Sequence, residues 1–100
     1  MSEILDKAVT VLSEKLGDAP FGATVKFAVE GEGAVLVEGE HSPPRVSIGD
    51  RDADVTISAS QETFRKIVTG ELNPTVAAMS GQIRIDGDLS AAMKLAGMLA

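Results

Sequence analysis

Apolar positions in this chain switch between two periods, and each switch marks an element. Ile4, Leu5, Ala8, Val9, Leu12 and Leu16 recur at three- and four-residue steps, the stripe of an amphipathic helix. Ser2 is placed as its N-cap and Gly17 as its stop, and Asp18-Ala19-Pro20 then breaks the pattern. From Ala23 the period is two. Ala23, Val25, Phe27 and Val29 fall on one face of a strand, and Thr24, Lys26, Ala28 and Glu30 on the other. Gly31-Glu32-Gly33 predicts a hairpin turn into a second strand over residues 34–38. A loop over 39–44 precedes a short third strand at 45–48, and a fourth strand is predicted at 54–58.

Ser60 then caps a helix that ends at Gly70, with Leu72 placed to pack back on it. Asn73-Pro74 starts a short helical segment over 75–79. Residues 82–86 alternate as a fifth strand, and Asp88 is the predicted N-cap of the last helix. Strands on short turns followed by helices give an α+β fold: one mostly antiparallel sheet of these five strands, with helices over one face. Residues 1–100 read as a single domain, long enough for a real core with little to spare.

The last helix is more apolar than a sheet-packed helix requires. Leu89, Ala92, Met93, Leu95, Ala96, Met98 and Leu99 stand against Ser90 and Lys94, wider than one core-facing stripe. It is therefore expected either to be buried on two sides or to cover something besides the sheet. Gly97 within it costs about 1 kcal/mol relative to Ala, which favours an end that opens. Phe64, Ile67, Val68 and Met79 also recur at helical spacing, and Val25, Phe27, Ile57, Ile83 and Ile85 supply an apolar sheet face beneath.

Composition sharpens this picture. Hydrophobic residues make up 44% of the chain but aromatic ones only 3%, so aliphatic side chains must fill the core and an internal void is easier to keep. The net charge of −6, with acids at Glu30, Glu32, Glu38, Glu40, Asp50, Asp52 and Asp54, argues against nucleic-acid binding. No apolar run approaches the roughly 18 residues of a membrane span, so stable membrane insertion is not expected. Cysteine is absent, which excludes disulfides and thiolate chemistry. The segment 1–6 has neither a basic stretch nor an apolar core of a signal peptide, and a cytoplasmic location is expected.

Candidate chemistry is thin. Asp50-Arg51-Asp52-Ala53-Asp54 opens like a calcium loop, but Val55 and Gln61 stand where the glycine and the final carboxylate belong, so an acidic turn is the reading. Gly31-Glu32-Gly33 lacks the third glycine and the following helix of a dinucleotide site. Asp86-Gly87-Asp88 reads as a turn and a helix cap, and His41 as a solvated loop residue. No catalytic residue, metal site or cofactor is expected, and an enzyme is not.

Three motifs carry a resemblance. The first is Ala53-Asp54-Val55-Thr56-Ile57 followed by Phe64, and the second is Gly70-Glu71-Leu72-Asn73-Pro74. The third, the most specific, runs Ser80-Gly81-Gln82-Ile83-Arg84-Ile85-Asp86-Gly87-Asp88 and then Ala92-Met93-Lys94-Leu95. In order and at this spacing they resemble the sterol carrier protein family, the type-two sterol-binding domain. The resemblance implies a five-stranded sheet with an apolar tunnel between it and its helices, for fatty acid, acyl-CoA or sterol-like lipid. Carried onto this chain, it puts the lining at Phe27, Leu36, Phe64, Ile67, Met79, Ile83, Ile85, Met93, Ala96 and Leu99. The expected function is non-catalytic lipid binding and transfer. The alternative is an accessory module with a filled core that docks on a lipid-metabolism enzyme or associates with its own copy.

Overall fold

A computed structural model describes residues 3–17 and 20–99, Leu99 by its backbone only. The expected cap at Ser2 and the Asp18-Ala19 break lie outside the described residues. The elements are α1 (Glu3–Leu16), β1 (Thr24–Val29), β2 (Gly33–Glu38), β3 (Arg45–Ile48), β4 (Val55–Ala59), α2 (Gln61–Val68), α3 (Pro74–Met79), β5 (Ile83–Gly87) and α4 (Leu89–Leu99). Local chemistry fixes their ends. Ser60 Oγ accepts the Thr63 N–H at 3.2 Å, Asn73 Oδ1 the Thr75 N–H at 2.8 Å, and Asp88 Oδ1 the Ser90 N–H at 2.9 Å, each quieting an orphan donor of a first helical turn. Pro74 sits in the opening turn of α3, where its missing N–H costs nothing.

The five strands form one sheet in the order β3-β2-β1-β4-β5. Its pairs are antiparallel except β1 with β4, which is parallel. Residues directly opposite share a face, so the register assigns every side chain. Val25, Phe27 and Val29 lie beside Val55, Ile57 and Ala59, with Val37 and Val35 on one flank and Ile85 and Ile83 on the other. This inner face meets Leu5, Ala8, Leu12 and Leu16 of α1, Phe64, Ile67 and Val68 of α2, Ala77 of α3 and Ala91, Ala92 and Leu95 of α4 in one core. All four helices thus bury their apolar stripes against one side of the sheet.

Parallel strands β3 and β4 stand three places apart in the sheet, so the segment 49–54 must cross β2 and β1, and it does so over the outer face. Lys26 Nζ holds Asp50 at 2.8 Å, Arg51 Nη2 donates to Glu38 Oε1 at 2.9 Å, and the Asp54 carboxylate accepts the Thr24 N–H at 2.8 Å. The acidic turn is a crossing secured by its charges. At Gly87 β5 and β4 approach closely: its φ is +116°, and a Cβ there would stand 2.5 Å from the Asp54 carbonyl oxygen. Gly39 is equally constrained, because an added Cβ would lie 2.4 Å from the Phe21 ring.

Candidate functional site

The layer between sheet and helices brings together much of the predicted lining. Phe27, Phe64, Ile67 and Ile83 are buried in it, and Ile85 packs half-buried against it. The Phe27 and Phe64 rings meet at its centre, centroids 5.6 Å apart and tilted by 51°, a favoured aromatic geometry. Ala96 is buried on α4, beside this core, and the Leu99 side chain is not among those described. Everything around the two rings is aliphatic, and no charged or polar residue is buried among the described ones.

Three predicted members are elsewhere. Leu36 is buried, but in register with Lys26 and Ser47 on the outer face of the sheet, where the 49–54 crossing covers it. Its neighbours Val35 and Val37 take the inner face instead, as strand alternation demands. Leu36 therefore does not line the layer. Met79 ends the short α3 with 83% of its surface exposed, because Pro74 and Ala77 take the inward side of that helix. Met93 is 46% exposed on α4, where Ala91, Ala92 and Leu95 face inward.

The wide apolar girdle of α4 thus resolves differently from either expectation. One side packs on the sheet, α1 and α3, and the second, Leu89 with Met93 one turn on, is left open to solvent. Val76 and Met79 do the same on α3. Among the described residues the large exposed hydrophobics are these four and Ile48, so two neighbouring helices, both packed against β5, carry nearly all of them.

The sequence pattern gave no sign of the open grooves at the rim. One of about 660 Å³ lies between the first turns of α1 and α2, lined by Ile4, Lys7, Glu32, Gln61 and Arg65 among others. Another of about 530 Å³ lies across the ends of β1, β4 and β5, bordered by Ala28, Ser58, Ile83 and Arg84. Neither is bordered by Phe27, Phe64 or Leu95. Both bring together residues distant in the chain, so only tertiary placement reveals them.

The titratable groups do not converge. Asp86 pairs with Arg84 at 3.3 Å, Asp88 caps α4, and His41 lies 3.1 Å from Glu38 at the end of β2, three strands from β5. The remaining distinctive feature is an aliphatic layer under two helices with greasy outer surfaces.

Comparison with known proteins settles the family. The model of the SCP-2 sterol transfer family matches residues 3–100. This chain belongs to that family. Sterol carrier protein 2 of Homo sapiens is 29% identical over 96 residues, covering 93% of this chain and 16% of that protein. Hydroxysteroid dehydrogenase-like protein 2 of Rattus norvegicus is 31% identical over 98 residues, covering 91% of this chain and 19% of that protein. The chain therefore spans less than a fifth of either relative. The fold agrees with the solution structure of Aedes aegypti sterol carrier protein-2 in complex with palmitate, at a TM-score of 0.76 and 17% identity, covering 100% of this chain and 97% of that one. The α+β sheet of an SCP-2 domain, expected from the residues, is what the structure shows. No described helix is long and apolar enough to cross a membrane.

Proposed function

We propose that this chain is a non-catalytic carrier of a fatty-acyl or similar lipid, taking the hydrocarbon into the apolar layer as α3 and α4 move off β5. The observation that carries the reading is the exposure of Val76, Met79, Leu89 and Met93 on the two helices that pack against β5. Membership of a sterol transfer family and the palmitate complex of a fold relative support it. So does the filling of the layer, which is small and aliphatic apart from Phe27 and Phe64 and presents only apolar surface to a guest. Local opening of α4 is the least costly route in, since Gly97 weakens this helix.

Burying a sixteen-carbon chain contributes about 0.8 kcal/mol per methylene, about 12 kcal/mol gross. Ordering the chain and displacing packed helices remove several kcal/mol, leaving affinity in about the micromolar range, with selection by length and shape more than by headgroup. We place this work in the cytoplasm, in keeping with the absence of cysteine. Titration with a fluorescent fatty acid tests the reading. Met93→Asp and Ile85→Asp each put a carboxylate at the entrance or in the layer and should abolish uptake; undiminished uptake by both removes the proposal. A second reading, an accessory module for a lipid-metabolism enzyme, is favoured by one fact: the relatives are several times longer than this chain. Native mass spectrometry separates them, since a carrier purifies with lipid attached and a docking module does not.

A further inference from the structure

β5 is a sheet edge with its backbone half used. The Ala59 carbonyl accepts the Glu30 N–H, so the odd-numbered residues of β4 face β1 and the even-numbered ones face β5. Opposite pairs Ser58 with Arg84 and Thr56 with Asp86 are then the hydrogen-bonded ones, and Asp88 N–H donating to the Asp54 carbonyl continues them. The N–H and C=O groups of Ile83, Ile85 and Gly87 consequently point away from the sheet. The other edge, β3, is shorter and follows two prolines. Those are devices that blunt an edge.

We infer that β5 is an interaction surface for a second copy of this chain, the two β5 strands pairing antiparallel about a twofold axis at Ile85 to give a continuous ten-stranded sheet. Two independent constraints select this register. Outward groups belong to odd-numbered residues, so odd must face odd: Ile85 opposite Ile85, and Ile83 opposite Gly87. The same register sets Arg84 opposite the Asp86 of the second copy, and Asp86 opposite its Arg84. Shifting the pairing by one step of hydrogen-bonding parity in either direction sets Asp86 against Asp86 or Arg84 against Arg84, and like charges directly opposite are destabilising. Of these three registers only the one centred on Ile85 satisfies both backbone and charge. Within one copy Arg84 and Asp86 contact each other at 3.3 Å while both remain exposed, so each is free to turn to the second copy. On the inner side the pairing covers half-buried Ile85 and sets the α3 and α4 of both copies on the same face of the joined sheet.

Sedimentation equilibrium on the full chain over a micromolar-to-millimolar series tests this. The wild type should reach twice its chain mass. Arg84→Asp and Asp86→Arg should each weaken association by about tenfold or more, since every variant puts two like-charge pairs across the axis. The double variant Arg84→Asp/Asp86→Arg restores opposite charges and should recover the dimer. Circular dichroism checks folding, and concentration-dependent protection of the Ile85 amide in hydrogen exchange gives a second readout without any substitution. A wild type that stays monomeric, a dimer insensitive to both reversals, or no recovery in the double variant overturns the inference. Lipid uptake plays no part in these readouts, so the carrier reading stands or falls separately.

Discussion

Replacing Phe64 with alanine removes the ring at the centre of the apolar layer, and the structure sets what that should cost. Phe64 is 1% exposed and touches Phe27 across 5.6 Å. Truncating a buried phenylalanine costs about 3–5 kcal/mol, and loss of the ring pair accounts for about 0.5–1.5 kcal/mol of that. Against a typical stability of about 5–15 kcal/mol for a domain of this kind, the variant loses about a fifth or more. The expected fall in Tm is at least about 12 °C, at about 4–8 °C per kcal/mol for a domain near this size. The chain has no Trp or Tyr, so urea unfolding must be followed by far-UV circular dichroism. The midpoint should drop with an unchanged slope. A fatty acid that enters the vacated space should then restore about 2.7 kcal/mol at a hundred times its Kd. A loss below about 1 kcal/mol would show that the ring is not closely packed. A midpoint that fatty acid leaves unmoved would refute the claim that this layer accepts hydrocarbon.

The outer face should behave differently. Leu36→Ala should destabilise by about 2–4 kcal/mol in the same urea assay yet leave fluorescent fatty-acid uptake unchanged, because the side chain lies beneath the 49–54 crossing. Gly87→Ala should cost about 1 kcal/mol or more, from its left-handed φ and the Asp54 oxygen 2.5 Å from the added carbon; a neutral Tm would contradict that geometry. Ser60→Ala should cost about 1 kcal/mol by stripping the cap from α2, measured by the same denaturation.

Much of the architecture could be read from period alone, because strands and helices here alternate cleanly and are punctuated by capping residues. Val25, Phe27 and Val29 declare their face because Thr24, Lys26 and Glu30 alternate with them. Leu36 could not: the run Ala34-Val35-Leu36-Val37 is apolar throughout, so nothing local states which pair points inward. Its burial comes from a crossing segment that approaches from another part of the chain. The outward placement of Met79 was hidden for another reason, since α3 spans too few turns to show a phase. Met93 belongs to a helix so evenly apolar that its outer side is fixed only by where the sheet lies.

The parallel pairing of β1 with β4 divides the molecule more deeply than its single sheet suggests. On one side of that seam stand α1 and the first three strands, on the other the remaining strands and helices, each half closed by antiparallel neighbours. Val25 meets Val55 across it, thirty positions along the chain, at two of the least exposed residues in the protein. Burial is therefore deep at a seam that local contacts alone cannot assemble. Cleaved within 49–54, the two fragments would each present one unsatisfied strand cut to fit the other.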